Sequence, residues 1–196
     1  MTIKKYDIAN GPGVRVSVFA AGCHHACKGC FNFEAWDFNA GEKFEEKEIK
    51  EVIEALNYSY IDGLSLLGGE PLELVNAKGF LSLVKKVKEN YPNKTVWMYT
   101  GYLFDKEVIN NLSNKSTNIS ELISLVDVVV DGRFDIDLVS SKLAFKGSSN
   151  QRIIDVKKTL EKGEIVLHPL NDVKIGGSEL EQILLNNKIN KDIITV

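Results

Sequence analysis

The sequence predicts an α/β fold in which a parallel sheet curls into a partial, open (β/α) barrel. Three observations carry the prediction. Short β-branched runs alternate with amphipathic helical stretches through the first two thirds of the chain. The chain has 196 residues, fewer than the roughly 250 that a closed eight-strand barrel takes. Finally, polar and glycine-rich clusters follow the predicted strands directly, and parallel strands would gather those clusters on one rim, where such folds carry their sites.

The elements follow in order. Val14–Ala20 (VRVSVFA) is a β-branched run bounded by Gly-Pro-Gly and Gly-Cys, and reads as a strand. Between Phe44 and Tyr58, Ile49, Val52, Ile53 and Leu56 recur at helical spacing among Glu and Lys. Gly63–Leu67 is the next strand, ending in Gly-Gly-Glu-Pro. Ala77–Tyr91 aligns Phe80, Leu81, Leu83, Val84 and Val87 on one helical face. Thr95–Tyr99 is a strand, followed by helical stretches near Phe104–Leu112 and Ser120–Leu125, and Val126–Val130 is the fourth strand. Beyond Phe145 the pattern weakens: a helix over Arg152–Leu160, a strand over Glu164–Leu167 and a helix over Ser178–Asn186 are expected. The whole, 1–196, reads as a single domain with a core over about 6–156 and a C-terminal extension over 157–196.

The composition is that of an ordinary globular protein, 44% hydrophobic and 26% charged, with a net charge of −3. That balance predicts neither a nucleic-acid nor a membrane-surface partner. No apolar stretch is long enough for a membrane helix and the N-terminus lacks a signal-peptide core, so a cytoplasmic location is expected.

All three cysteines fall within one eight-residue segment, Cys23-His24-His25-Ala26-Cys27-Lys28-Gly29-Cys30. In a reducing compartment, clustered thiols point to metal or redox chemistry rather than to a disulfide framework. Thiolates suit iron–sulfur clusters and zinc. A 4Fe–4S cluster on Cys23, Cys27 and Cys30 would lack its usual fourth cysteine. The iron left open could be chelated by the amino and carboxylate groups of S-adenosylmethionine (SAM). Two other readings compete: a zinc-binding interaction module recruiting His24 or His25, and a thioredoxin-like pair at Cys27 and Cys30 that leaves Cys23 surplus.

The C-x3-C-x2-C spacing followed by Gly68-Gly69-Glu70-Pro71 resembles the radical SAM superfamily. The detail resembles the glycyl-radical activases of anaerobic ribonucleoside-triphosphate reductases. The shared stretches are Asn10–Arg15, Gly22–Asn32 with Trp36 behind it, Leu66–Leu72, Trp97–Tyr102, Val130–Phe134 and Gly147–Arg152, together spanning about residues 6–156. The resemblance implies a barrel of the radical SAM type. It also implies reductive cleavage of SAM and removal of hydrogen from a glycine of the partner reductase, with an electron donor such as flavodoxin or ferredoxin. A radical SAM enzyme acting on a small molecule, such as a deazapurine-type synthase, would need the same cluster and stays open.

By the same resemblance, Gly68, Gly69 and Glu70 bind the amino group of SAM, and Glu70 could add a charge-assisted bond. Thr100, Asp131 and Arg133 follow strands; the last two could face the ribose hydroxyls and the carboxylate of SAM, or be ordinary turn residues. Gly29 stands where the superfamily often has an aromatic residue, and Phe31 follows the third cysteine; both are expected beside the cofactor. Asn10–Arg15 is placed near the entry of the partner's glycine, although the start of a strand lies on the rim opposite the cluster. Asn150, Gln151 and Arg152 could contact SAM or the partner, or cap a helix. The resemblance leaves the tail from about Lys157 unexplained.

Overall fold

Alternation along the strands divides the sheet into two faces of different character. The structure, a computed structural model, describes residues 1–175. Its six strands are β1 (Thr2–Asp7), β2 (Val14–Ala20), β3 (Ile61–Gly68), β4 (Thr95–Tyr99), β5 (Val128–Asp131) and β6 (Arg152–Asp155), and they lie side by side in chain order. The central strands β2, β3, β4 and β5 pair parallel, while β1 and β6 pair antiparallel to their neighbours at the two edges. The sheet is therefore the open, mostly parallel one expected, with its four central C-terminal ends on a common rim.

The outer face is wholly apolar. Val16 and Val18 of β2, Leu64 and Leu66 of β3, Val96 and Met98 of β4 and Val129 of β5 are buried there against the helices. Helix α1 (Glu46–Leu56) contributes Val52 and Leu56, and α2 (Leu74–Asn90) contributes Phe80, Leu83, Val84 and Val87. Helix α1 begins in a reciprocal cap in which the Glu45 N–H donates to Glu48 Oε2 at 2.9 Å. After β4 the chain forms a wide π-type helix (Phe104–Leu112) that runs into the short turn α3 (Ser113–Lys115) and then α4 (Thr117–Leu125). Phe104, Val108, Ile119 and Leu122 close the outer layer. Among the described residues, no helix is long and apolar enough to cross a membrane.

The inner face holds a second, smaller core in which Trp97, Val128, Val130 and Ile153 are buried against Leu170 and Val173. Thus the segment after α5 (Val156–Lys162) returns across the concave side of the half-barrel. Asn171 fastens it: its side-chain oxygen accepts from the Ile153 N–H at 2.9 Å, and its carbonyl accepts from Lys146 Nζ at 2.7 Å.

Three local expectations change and a fourth is not tested. Thr2–Asp7 is a strand that the sequence does not announce. Arg152–Asp155 is β6 rather than the start of a helix, because Ile153 and Ile154 face opposite sides of the sheet; the helix begins at Val156 with Asp155 as its cap. Around Glu164–Leu167 there is a single bridge, Leu167 to Ile154, instead of a strand. The expected helix at Ser178–Asn186 lies outside the described residues.

Candidate cluster and cofactor site

The cysteine loop leaves the rim end of β2 and is built on unusual backbone. Gly22 has φ +93° and packs so close to the Phe38 ring that a Cβ would lie 2.4 Å from it; Ala26 has φ +45°. Gly29 has φ +76° and a Cβ there would meet Ile136 Cδ1 at 2.3 Å, so glycine is required for the turn between Cys27 and Cys30. A 3-10 turn, Phe33–Trp36, straps the loop back: the Gly22 N–H donates to the Ala35 carbonyl at 2.8 Å and the Cys23 N–H to the Trp36 carbonyl at 3.2 Å.

The three thiols are free and half-buried. They line one basin of about 720 Å³ together with Phe31, Trp36, Gly68, Gly69 and Thr100. Burial pushes the Cys23 thiol up to about 11 and raises that of Cys27 as well. Main-chain donors face the sulfurs: the Asn32 N–H lies 3.4 Å from Cys30 Sγ, His25 and Ala26 present theirs to Cys23, and Phe134 presents its own to Cys27. A soft metal centre displaces the thiol protons on binding, and these N–H groups would then face thiolates.

The histidines beside the cysteines are engaged elsewhere. His24 Nδ1 is 2.8 Å from Glu73 Oε1, and His25 Nε2 is 3.1 Å from Glu70 Oε2. No group of His, Cys, Asp or Glu side chains among the described residues is arranged to hold a single metal ion. A 4Fe–4S cluster, which spreads its thiolates over separate irons, fits this donor set better than one zinc does.

Opposite the loop, Gly68 has φ +110° and a Cβ there would lie 2.5 Å from Ala20 main-chain atoms. A Cβ on Gly69 would lie 2.4 Å from the Gly22 carbonyl and 2.9 Å from that of Ala35. These glycines therefore let the rim of β3 close against the cysteine loop itself. Glu70 lines the same basin, and the carboxylate expected to bond SAM is already bonded within the protein. Its carboxylate is 1% exposed and fully engaged within the protein. Oε1 accepts from the Leu72 N–H at 2.9 Å and the Thr100 hydroxyl at 2.8 Å, and Oε2 accepts from the Gly101 N–H at 2.8 Å beside His25. Thr100 is likewise occupied, donating to Glu70 and accepting from the Tyr102 N–H. Glu70 is thus a buried clasp between the cysteine loop and the rim of β4.

Asp131 is also placed differently from expectation. It is fully buried, does not line the basin, accepts from Arg152 Nε at 3.0 Å and caps the Phe104 N–H at 2.8 Å. Arg133 and Gly29 do not line the basin either, and the Arg133 carbonyl accepts from Asn150 Nδ2. Gln151 ties Gly132 to Gly147 and Ser148. The Asn150–Arg152 knot is thereby an internal clasp around the exit of β5. Phe31, in contrast, is 74% exposed and rests on the Phe134 ring at 5.0 Å.

The loop before β2 folds inward beneath the basin. The Asn10 carbonyl accepts from the Ser65 hydroxyl, and Gly11 packs on Arg15 and Trp97. Arg15 is fully buried on the inner face. It donates to Ser65 Oγ at 2.8 Å, to the Leu64 carbonyl at 2.8 Å, and to the Thr95 carbonyl and hydroxyl at 2.9 and 3.1 Å. Asn10 reaches the basin wall, whereas Arg15 does not line the basin and forms the floor of the half-barrel at the strand starts. Sequence reasoning missed the buried role of His25, whose signal was its place between two ligands, and the second core at Leu170 and Val173.

Comparison with known proteins agrees with this geometry. Residues 9–154 match a family model described as a 4Fe-4S single cluster domain. The anaerobic ribonucleoside-triphosphate reductase-activating protein of Enterobacteria phage T4 is 41% identical over 147 residues, covering 75% of this chain and 87% of its own. The chain belongs to that family. Members of the same name from Pasteurella multocida (strain Pm70) and Escherichia coli (strain K12) are 38% and 37% identical, each over 90% of its own length. The match to the cluster-domain model ends within β6, so α5 and the segment that lies over the inner face fall outside it.

Proposed function

We propose that this chain activates an anaerobic ribonucleoside-triphosphate reductase by installing a radical on one of its glycines. The observation that carries the reading is the convergence of Cys23, Cys27 and Cys30 with Gly68 and Gly69 on one basin, in a chain 41% identical to a named activating protein. A cluster on these thiolates, with SAM bound to it, supplies the carbon-centred radical chemistry.

The chain's own residues hold and shelter that chemistry. The three thiolates fix the cluster, and the N–H groups of Asn32, His25, Ala26 and Phe134 stabilise their charge. With the side chains of Glu70 and Thr100 engaged, the main-chain groups of Gly68–Gly69, which also line the basin, are left as acceptors for the SAM ammonium. Phe31 and Phe134 flank the mouth, where a protein substrate would exclude water. The chain acts in this reading as a single domain in a reducing cytoplasm, with its electrons from a flavodoxin- or ferredoxin-type donor.

The test is anaerobic incubation of reconstituted protein with SAM, a low-potential reductant and the cognate reductase. The expected result is a glycyl radical signal by electron paramagnetic resonance that requires both SAM and Cys23. SAM cleavage without a radical on the reductase would refute the partner and favour a small-molecule substrate.

A further inference from the structure

Two side-chain donors that line the basin, the Trp36 indole N–H and the Tyr99 hydroxyl, have no acceptor among the described residues, and only the first sits on the cysteine strap. Trp36 ends the 3-10 turn behind the cysteines and its side chain lines the same basin as all three of them. Its indole nitrogen, Nε1, is buried and makes no hydrogen bond among the described residues. An indole N–H only donates, and buried donors in folded proteins are nearly always paired. The missing partner is therefore an acceptor that arrives with a bound group.

The turn that carries the ring says which group. Its Ala35 and Trp36 carbonyls receive the Gly22 and Cys23 N–H groups at 2.8 and 3.2 Å, so the indole is tethered to the first ligand and keeps its place relative to it. The other donors around the sulfurs are main-chain groups, from His25 and Ala26 to Cys23, from Phe134 to Cys27 and from Asn32 to Cys30. Trp36 is the side-chain donor that this N–H-rich cradle holds in reserve.

Resting on the cluster assignment above, we propose that the Trp36 indole N–H donates a hydrogen bond to a sulfur of the cluster and raises its reduction potential. Uptake of one electron from the donor adds one negative charge to the cluster. A donor fixed at a sulfur stabilises that charge more than it stabilises the oxidised form, and hydrogen bonds to the sulfurs are among the levers that set such potentials. Trp36 acts here as a positioning and tuning residue and takes no part in bond breaking.

Two variants of the full chain, reconstituted anaerobically, test this. Trp36→Phe removes the N–H and part of the ring. Replacing Trp36 by 3-benzothienylalanine keeps the ring's size and exchanges only N–H for sulfur, so that packing loss is separated from hydrogen-bond loss. The readout is the midpoint potential of the cluster without SAM, followed by electron paramagnetic resonance at defined potentials. Both variants should titrate at more negative potential, and the benzothienyl form should lose roughly two- to tenfold in the equilibrium constant for reduction, as for one neutral hydrogen bond. A benzothienyl protein with the wild-type potential overturns the proposal. So does one with the wild-type potential and weakened SAM binding, which would assign the indole to SAM instead. Failure of the cluster reading itself is distinguishable, because the unaltered protein would then form no iron–sulfur chromophore to titrate.

Discussion

The rim and the floor of this half-barrel use similar residues to opposite ends. At the floor, the Arg15 guanidinium is entirely buried, yet its donors meet the hydroxyls of Ser65 and Thr95 and the carbonyls of Leu64 and Thr95. At the rim, three sulfurs stand half-buried around an open basin and Trp36 holds an N–H without an acceptor among the described residues. Glu70 belongs to the rim by position and to the floor by behaviour, since protein donors surround both its oxygens. The difference teaches that residue type does not mark a ligand contact. An unsatisfied polar atom facing a cavity does.

The contrast can be broken at several points. The largest effect is expected at the rim: changing Cys23, Cys27 or Cys30 to Ala should abolish the oxygen-labile chromophore or SAM cleavage, read by visible absorption and iron content, while the apoprotein still folds. One variant retaining both would remove that cysteine from the ligand set.

Arg15→Met tests the floor. It leaves the Ser65 and Thr95 oxygens and two carbonyls without their donor, and should cost about 2–4 kcal/mol of stability. That corresponds to a melting temperature lower by about 5–15 °C in a protein of this size. An unchanged melting curve would mean that water replaces the guanidinium without loss.

Glu70→Gln asks to which end the clasp belongs. One NH2 would now face donors such as the Gly101 N–H or the Thr100 hydroxyl, and about 1–3 kcal/mol should be lost. Because His25 sits between two ligands, iron should also leave faster to a chelator. If SAM affinity alone fell, with stability and iron retention intact, the carboxylate would be a ligand contact after all.

The smallest effect is expected at Asp105. Arg152 donates to it at 2.8 Å and holds its carboxyl below the ordinary 3.8, with the group partly exposed. The carboxylate therefore contributes stability above its unfolded pKa and loses it as pH falls through the lower folded value. Asp105→Asn should cost less than about 1 kcal/mol at pH 7, and the difference from the unaltered protein should shrink in urea titrations as pH falls below the ordinary 3.8. A difference that persisted in acid would assign the effect to packing.

Much of this was legible in the sequence, for identifiable reasons. Strands β2 to β5 and helices α1 and α2 carry apolar periodicity dense enough to override chance, and the cysteine spacing names its own chemistry. Strand β1 was not legible, because Lys4 and Lys5 interrupt its alternation and its order comes from pairing with β2. Neither were the roles of Glu70 and Asp131. Their partners, Thr100 and Arg152, lie 30 and 21 residues away, and only the fold reveals that their oxygens are already engaged. Ile153-Ile154 did offer a signal for β6, since adjacent β-branched residues suit a strand covered on both faces.

The return of Leu170 and Val173 onto the inner face has a consequence for synthesis. The ribosome completes Cys30 about 140 residues before Leu170, an interval of about 7–30 seconds at ordinary elongation rates. Only towards its end, once β5 is made, does the sheet have its outer helices while Trp97, Val128 and Val130 await their cover. Until Leu170 and Val173 arrive, the concave face beside the cysteine loop stays open from the side, and their packing closes that approach.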